Sequence, residues 1–308
     1  MLSSAPFECP AVLLAQAQRH LPLKTAIVSA ETETAMTSAK LATEHKLIEP
    51  TLVGDSSIIN SIATTINWDI RKLAVVDAGS GIKAAKLSVD LARSGEVSAL
   101  MKGHIHSETL MQEALQRKRG IRLKRRPSHA FYMTVPGHKH GICITDAVIN
   151  VLPRVKQKIE IARSVIELMH ALGNPKPRVA LISGTEISTP GMPSSMDAVE
   201  VVKAVENGAL AGAEIAGPMA LDVAISEQAA TTKGVNNAVA GKADVLLMPN
   251  LEAGNILFKQ MVYSMSATAA GLVLGMQVPI MLTSRADPPV ARLASAALAS
   301  VYAAHRDL

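Results

Sequence analysis

The sequence predicts an α/β protein built on mostly parallel sheets, and three observations carry that prediction. Short β-rich runs alternate with helical periods along nearly the whole chain, which implies right-handed crossovers between parallel strands. A chain of 308 residues that is 48% hydrophobic, with a mean hydropathy of +0.24, can build a real core, and its length suits two domains. One pair of strands is joined too tightly for a crossover, so the winding changes near the midpoint.

The β-rich runs are residues 25–30, 51–54, 73–78, 98–103, 130–135, 141–148, 178–184, 243–250 and 278–284, each about the length of a buried strand. After the third run, residues 79–84 formally satisfy a dinucleotide-binding fingerprint, yet no acidic residue ends the next strand, so a tight turn opening a helix is the better account. Residues 130–135 and 141–148 are separated only by residues 136–140, which makes them a hairpin and sets the first domain boundary beside it. Residues 153–172 then carry apolar side chains at helical spacing. Past Ser284, Asp287 suits an N-cap and Pro288 the first helical turn, while Val290, Leu293, Ala294, Ala297, Leu298 and Val301 mark one apolar face. That last helix is expected to pack on the first domain, giving residues 1–132 plus 288–308 as one α/β/α domain and 133–287 as the other.

Composition narrows the function classes. Aromatic residues make up 2% of the chain, which argues against binding single-stranded nucleic acid by stacking. Two cysteines, Cys9 and Cys143, cannot form a disulfide framework and fit a reducing, cytoplasmic location. No stretch has the length of a membrane span, and the first residues lack the positive region of a signal peptide. The net charge of +5 suits anionic ligands. Seven cations fall within residues 117–126, read either as a solvated helix end and loop or as a cationic rim for a polyanionic small molecule. His104 with His106, and His138 with His140, lack the cysteine or carboxylate that would complete a metal site, so no metal is expected.

In open α/β sheets ligands sit beyond the carboxyl ends of strands. The loops there offer Lys102 and His104, Thr145 and Asp146, Ser183 and Thr185, Gly254 and Asn255, and finally Ser284, Arg285 and Asp287. A hydroxyl, a guanidinium and helix-start amides at the last strand end suit a phosphate. The bland alternative is that Ser284 and Asp287 only cap the helix while Arg285 points to solvent.

Taken together, residues 100–104 (LMKGH), 144–147 (ITDA) with Asn150, 217–222 (GPMALD), 243–249 (ADVLLMP) running into 253–255 (AGN), and 283–287 (TSRAD) resemble the phosphate acetyl/butyryltransferase family, in order and register. The resemblance implies two α/β/α domains of the isocitrate/isopropylmalate dehydrogenase-like fold, the first completed by the C-terminal helix, with an inter-domain active-site cleft. It implies transfer of an acetyl, propionyl or butyryl group between coenzyme A and inorganic phosphate by direct attack in a ternary complex. It further implies a homodimer without metal or prosthetic group, coenzyme A and phosphate being substrates. By the match to the family's Ser-Arg motif, Arg285 clamps the phosphate and Ser284 hydrogen-bonds the oxyanion or sulfur of the transition state. Asn255 with Gly254 forms a second polar wall, and Thr145, Asp146, Ser183 and Thr185 line the site, with Lys102 and His104 also against substrate. Acetyl-specific members carry an acidic residue seven positions after the serine. That position is Ala291 here, so either Asp287, the nearest carboxylate, takes the role of base or the thiolate leaves with help from water. The competing readings are a dehydrogenase on a related scaffold, which would need a metal-binding carboxylate cluster and a nucleotide loop, and a nucleic-acid-binding protein using residues 117–126.

Overall fold

A computed structural model describes residues 3, 5–79, 81–138, 140–283 and 287–306. The chain divides into two compact units, Pro6–Arg125 with Ala270–Leu308, and Met1–Ala5 with Arg126–Ala269. Residues 126–132 therefore fall with the central unit, and residues 270–287 with the unit formed by the two chain ends.

The unit of the chain ends begins with α1 (Ala11–Ala17), β1 (Leu23–Val28), α2 (Glu33–Glu44), β2 (Ile48–Gly54), α3 (Ser56–Thr65), β3 (Ala74–Asp77), α4 (Ile82–Ser94), β4 (Ala99–Lys102) and α5 (Ser107–Ala114). Thr32 caps α2 by accepting from Ala35 N at 3.3 Å, and the Asp55 carboxylate caps α3 at Ser57 N and Ile58 N. Gly81 stands at the N-cap of α4 with φ +68°, where the sequence predicts a helix to open. Strands β3, β2, β1 and β4 lie in that order and all pair in parallel.

The central unit holds β5 (Ser128–Thr134), β6 (Ile142–Thr145), α6 (Val155–Ala171), β7 (Arg178–Ile182), α7 (Pro193–Glu206), β8 (Glu214–Met219), α8 (Leu221–Ile225), α9 (Glu227–Thr232), β9 (Val245–Leu247) and α10 (Leu251–Met265). The hairpin is present, since β5 and β6 pair antiparallel with Ala130 opposite Thr145. Next to β6 come β9, β7 and β8, all parallel. Phe131, Ile144, Leu246, Met219, Val223 and Phe258 belong to one buried core here. Lys158 of α6, itself buried, pairs with Asp197 of α7 at 2.8 Å.

The chain then adds β10 (Thr268–Leu274), β11 (Ile280–Met281) and α11 (Pro289–Arg306). Strand β11 pairs in parallel with β4 and antiparallel with β10, and α11 packs on α1, α2 and β11. Every residue of α11 from Ala291 to Ala303 is buried. The helix starts at Pro289, and the Pro288 carbonyl accepts from Ala291 N at 3.0 Å, so Asp287 lies one residue before the capping position expected of it. Two successive prolines explain the shift, because a residue ahead of proline is pushed out of the helical region. Two strands had no counterpart in the sequence reading. Edge strand β8 contains Gly217 and Pro218, and β10 opens on Thr-Ala-Ala-Gly, so in both the β-branched signal is diluted by residues that strands disfavour. The run 278–284 shortens to the two residues of β11. Among the described residues, no helix is long and apolar enough to cross a membrane.

Candidate active site

In the central unit, β6, β9 and β7 are adjacent and parallel, with Thr145 and Leu181 both in register with Leu247. Their carboxyl ends therefore open on one edge, the position at which α/β sheets bind ligands. Thr145 is fully buried and its Oγ1 donates to the His129 carbonyl at 2.9 Å. Asp146, 2% exposed, accepts four hydrogen bonds: Oδ1 from Val148 N at 2.8 Å and Ile149 N at 2.9 Å, Oδ2 from His129 N at 3.1 Å and Asn150 Nδ2 at 2.6 Å. Asn150 Nδ2 also donates to the Pro127 carbonyl at 2.9 Å, and its Oδ1 accepts from Arg126 Nε. A carboxylate saturated in this way fixes residues 146–150 against the start of β5.

Helix α10 reaches the same loop. Its N-cap Asn250 accepts from Ala253 N at 2.8 Å, and a Cβ on Gly254 would stand 2.8 Å from the Asp146 carbonyl and 3.0 Å from Ala147 Cβ. Glycine is what lets the helix come so close. Asn255 Nδ2 donates to the Ala147 carbonyl at 3.2 Å. Thr145, Asp146, Gly254 and Asn255 are thus brought together. His129 joins them through a ring contact to Phe131 at 4.3 Å, and Phe131 stacks on Phe258 one turn beyond Gly254 at 4.1 Å. Ser183 follows β7, where its Oγ bonds Ser194 Oγ at 2.9 Å and so faces the start of α7. Thr185 accepts from Ile187 N at 3.2 Å, and the neighbouring Glu186 pairs with Lys233 at 3.1 Å.

The unit of the chain ends has its own edge. Lys102 ends β4 opposite Val28 and is 2% exposed, while His104 is exposed. Gly103 N and His104 N donate to the Val28 and Ser29 carbonyls at 2.9 and 2.8 Å. A Cβ on Gly103 would meet the Ser29 oxygen at 2.4 Å and that of Val28 at 2.6 Å, so only glycine fits. Arg292, 4% exposed in the first turn of α11, sends Nη1 to the Lys102 carbonyl at 3.3 Å and Nε to that of Asp287 at 3.5 Å. Burial lowers its pKa and the charge of Asp287 opposes that shift. Asp287 is half-buried, and Ala291 is enclosed in α11. Ser284 and Arg285 lie outside the described residues.

The sequence reading did not single out His129 or Arg292, and placed Arg126 only within its basic run. For Arg292 a signal exists: the positions around it in α11 are filled by alanine and serine rather than charge, so the helix has no wet side and its arginine must be buried. Among the described residues no group of three or more His, Cys, Asp or Glu could hold a metal ion.

Strand-end loops that gather hydroxyls, amides and close-packed glycines on parallel strands define the ligand edge of α/β enzymes. Residues 80–300 match the family described as phosphate acetyl/butaryl transferase. A phosphate acetyltransferase of Rhizobium meliloti is 42% identical over 294 residues, covering 96% of this chain and 93% of its own. A phosphate butyryltransferase of Clostridium acetobutylicum is 35% identical over 283 residues, covering 92% and 94%. Among solved structures, a branched-chain phosphotransacylase from Enterococcus faecalis V583 superposes with a TM-score of 0.78 at 27% identity, covering 91% of this chain and 99% of that one. The chain belongs to the phosphate acetyl/butyryltransferase family and is an acyltransferase.

Proposed function

We propose that the protein moves a short acyl group between coenzyme A and inorganic phosphate, acyl-CoA + phosphate ⇌ acyl phosphate + CoA. The observation that carries this reading is the knit of residues 145–150 with Gly254 and Asn255 at parallel strand ends, in a chain 42% identical to a phosphate acetyltransferase. A phosphate oxygen attacks the thioester carbon, the tetrahedral intermediate forms, and its collapse breaks the carbon–sulfur bond and releases the thiolate. Holding the two reactants in line can supply as much as ~7–11 kcal/mol of the barrier. In this reading Arg285 clamps the phosphate and Ser284 donates to the developing oxyanion or sulfur, a contact worth ~3–4 kcal/mol. Asp287 is the base toward the thiol in the reverse direction, because Ala291 supplies no carboxylate.

The other candidates divide by role. Asp146 positions its loop and Thr145 is fully buried with its Oγ1 donating to the His129 carbonyl, whereas Lys102, His104, Ser183 and Thr185 after their strands, and Asn255 in α10, are read as the residues that meet substrate. Each unit is read as an α/β/α domain of the isocitrate/isopropylmalate dehydrogenase-like fold, with α11 completing the first. The enzyme is read as a homodimer that uses neither metal nor prosthetic group. The test is CoA release from acetyl-, propionyl- and butyryl-CoA with and without phosphate, on wild type and Arg285→Ala. The variant is expected to keep its fold and lose several orders of magnitude in kcat/KM. Near-normal acyl phosphate formation by the variant would remove Arg285 from the mechanism.

A further inference from the structure

The cations of residues 117–126 are not equivalent. Arg117, Lys118, Arg119, Arg122 and Lys124 are exposed on the stretch after α5 and belong to the unit of the chain ends. Arg126 belongs to the central unit, is also exposed, and has its Nε bound to Oδ1 of Asn150, a side chain only 2% exposed. Asn150 is held in turn by Pro127 and by Asp146, whose carboxylate organises the loop between Thr145 and Asn150. Arg126 is thus an accessible guanidinium anchored at one nitrogen by a buried network.

That arrangement separates the costs of binding. An arginine loses rotamer freedom when a ligand immobilises it. Here the bond from Nε to Asn150 has already restricted the side chain, so an anion meets a pre-ordered donor. A guanidinium carries five N–H donors in one plane, and anchoring Nε leaves the Nη edge as the accessible one. Such an edge matches two oxygens of a phosphoryl group.

Resting on the function proposed above, we propose that Arg126 is a substrate-binding residue that grips a phosphoryl oxyanion. The chemistry has two sources in this reaction, the phosphates of coenzyme A and inorganic phosphate. The five exposed cations of the other unit, Arg117, Lys118, Arg119, Arg122 and Lys124, would act only through the long-range field, which salt screens within about 10 Å at 0.1 M.

The test compares wild type, Arg126→Ala and Arg126→Lys in steady-state kinetics with CoA, dephospho-CoA and phosphate, alongside calorimetric titration with CoA and with phosphate. Arg126→Ala is expected to raise one KM at least tenfold, with a smaller change in kcat, and Arg126→Lys to recover part of the loss. A rise for CoA but not for dephospho-CoA assigns the contact to the 3′-phosphate. A rise for both assigns it to the diphosphate, and a rise for phosphate alone assigns it to the attacking group. The proposal is overturned if every KM and every titrated affinity stays within twofold of wild type. It is overturned equally if the losses track a drop in Tm and Lys restores nothing, since Arg126 would then only brace Asn150. Should wild type bind CoA yet form no acyl phosphate, the proposed function fails while the titrations still decide Arg126.

Discussion

At the end of β6 a side chain does the holding, whereas at the end of β4 the backbone does. Asp146 gathers three backbone N–H groups and one amide into a single buried carboxylate. Around Gly103, by contrast, successive N–H groups bond the Val28 and Ser29 carbonyls, and the Arg292 side chain reaches in at the Lys102 carbonyl. The difference teaches where mutation should hurt. A loop held by one carboxylate fails when that carboxylate is removed, whereas a loop held by close backbone approach fails when anything is added.

Removing the carboxylate should have the largest effect. Asp146→Ala leaves three backbone donors and the Asn150 amide without their acceptor, at roughly 1–3 kcal/mol for each that stays buried and unpaired. Urea unfolding is expected to show a loss of more than about 3 kcal/mol in the central unit, and a loss under 1 kcal/mol would mean that water replaces the carboxylate. Added methyl groups come next. Gly103→Ala drives Cβ into two carbonyl oxygens and should cost about 3 kcal/mol. Gly254→Ala meets a slightly looser contact, and alanine is favoured over glycine within a helix by about 1 kcal/mol, so its net loss should be smaller. Its larger signature should be in kcat/KM, since the clash displaces Asn255. Equal unfolding midpoints for the two variants would erase the contrast.

The smallest effect lies at the start of β9. Arg178 donates to Asp244 through N, Nε and Nη2 at 2.8–2.9 Å. Burial alone would raise the Asp244 pKa, but the hydrogen bonds and charge of Arg178 outweigh it and hold the carboxyl below its ordinary value. A depressed carboxylate pKa stabilises the fold above the unfolded value, near 3.9, and that contribution fades as pH falls through the folded one. Asp244→Asn should therefore cost about 1 kcal/mol at pH 7 in this part-exposed pair. The gap between variant and wild type should close on acidification below pH 4, and a gap constant from pH 7 to pH 3 would show packing rather than charge at work.

Much of this was legible in the residues. The hairpin followed from a five-residue connection, and the strand-end clusters followed from polar residues placed directly after apolar runs. What escaped was set by distant partners. β8 and β10 carry alanine, glycine and, in β8, proline, so their strand character comes from neighbours rather than propensity. Asp146 reads as a lining residue because a sequence shows a carboxylate but not the four donors that saturate it. Arg292 was overlooked for another reason, as one cation in a helix whose alanines and serines already mark it as enclosed on every side.

The chain order imposes a timetable on synthesis. Most of the unit that begins at Pro6 leaves the ribosome before the central unit, yet β10, β11 and α11 belong to it and are translated after the central unit. At ~5–20 residues per second, the newborn strands β1 to β4 wait roughly 10–30 s while the central unit, one nearly continuous segment, emerges and closes. An early-exposed half that stays unfinished until β10, β11 and α11 follow is a natural client for chaperones. Ribosome-stalled chains whose emerged part ends near residue 270 should already protect the central unit from protease while leaving that half open to cutting.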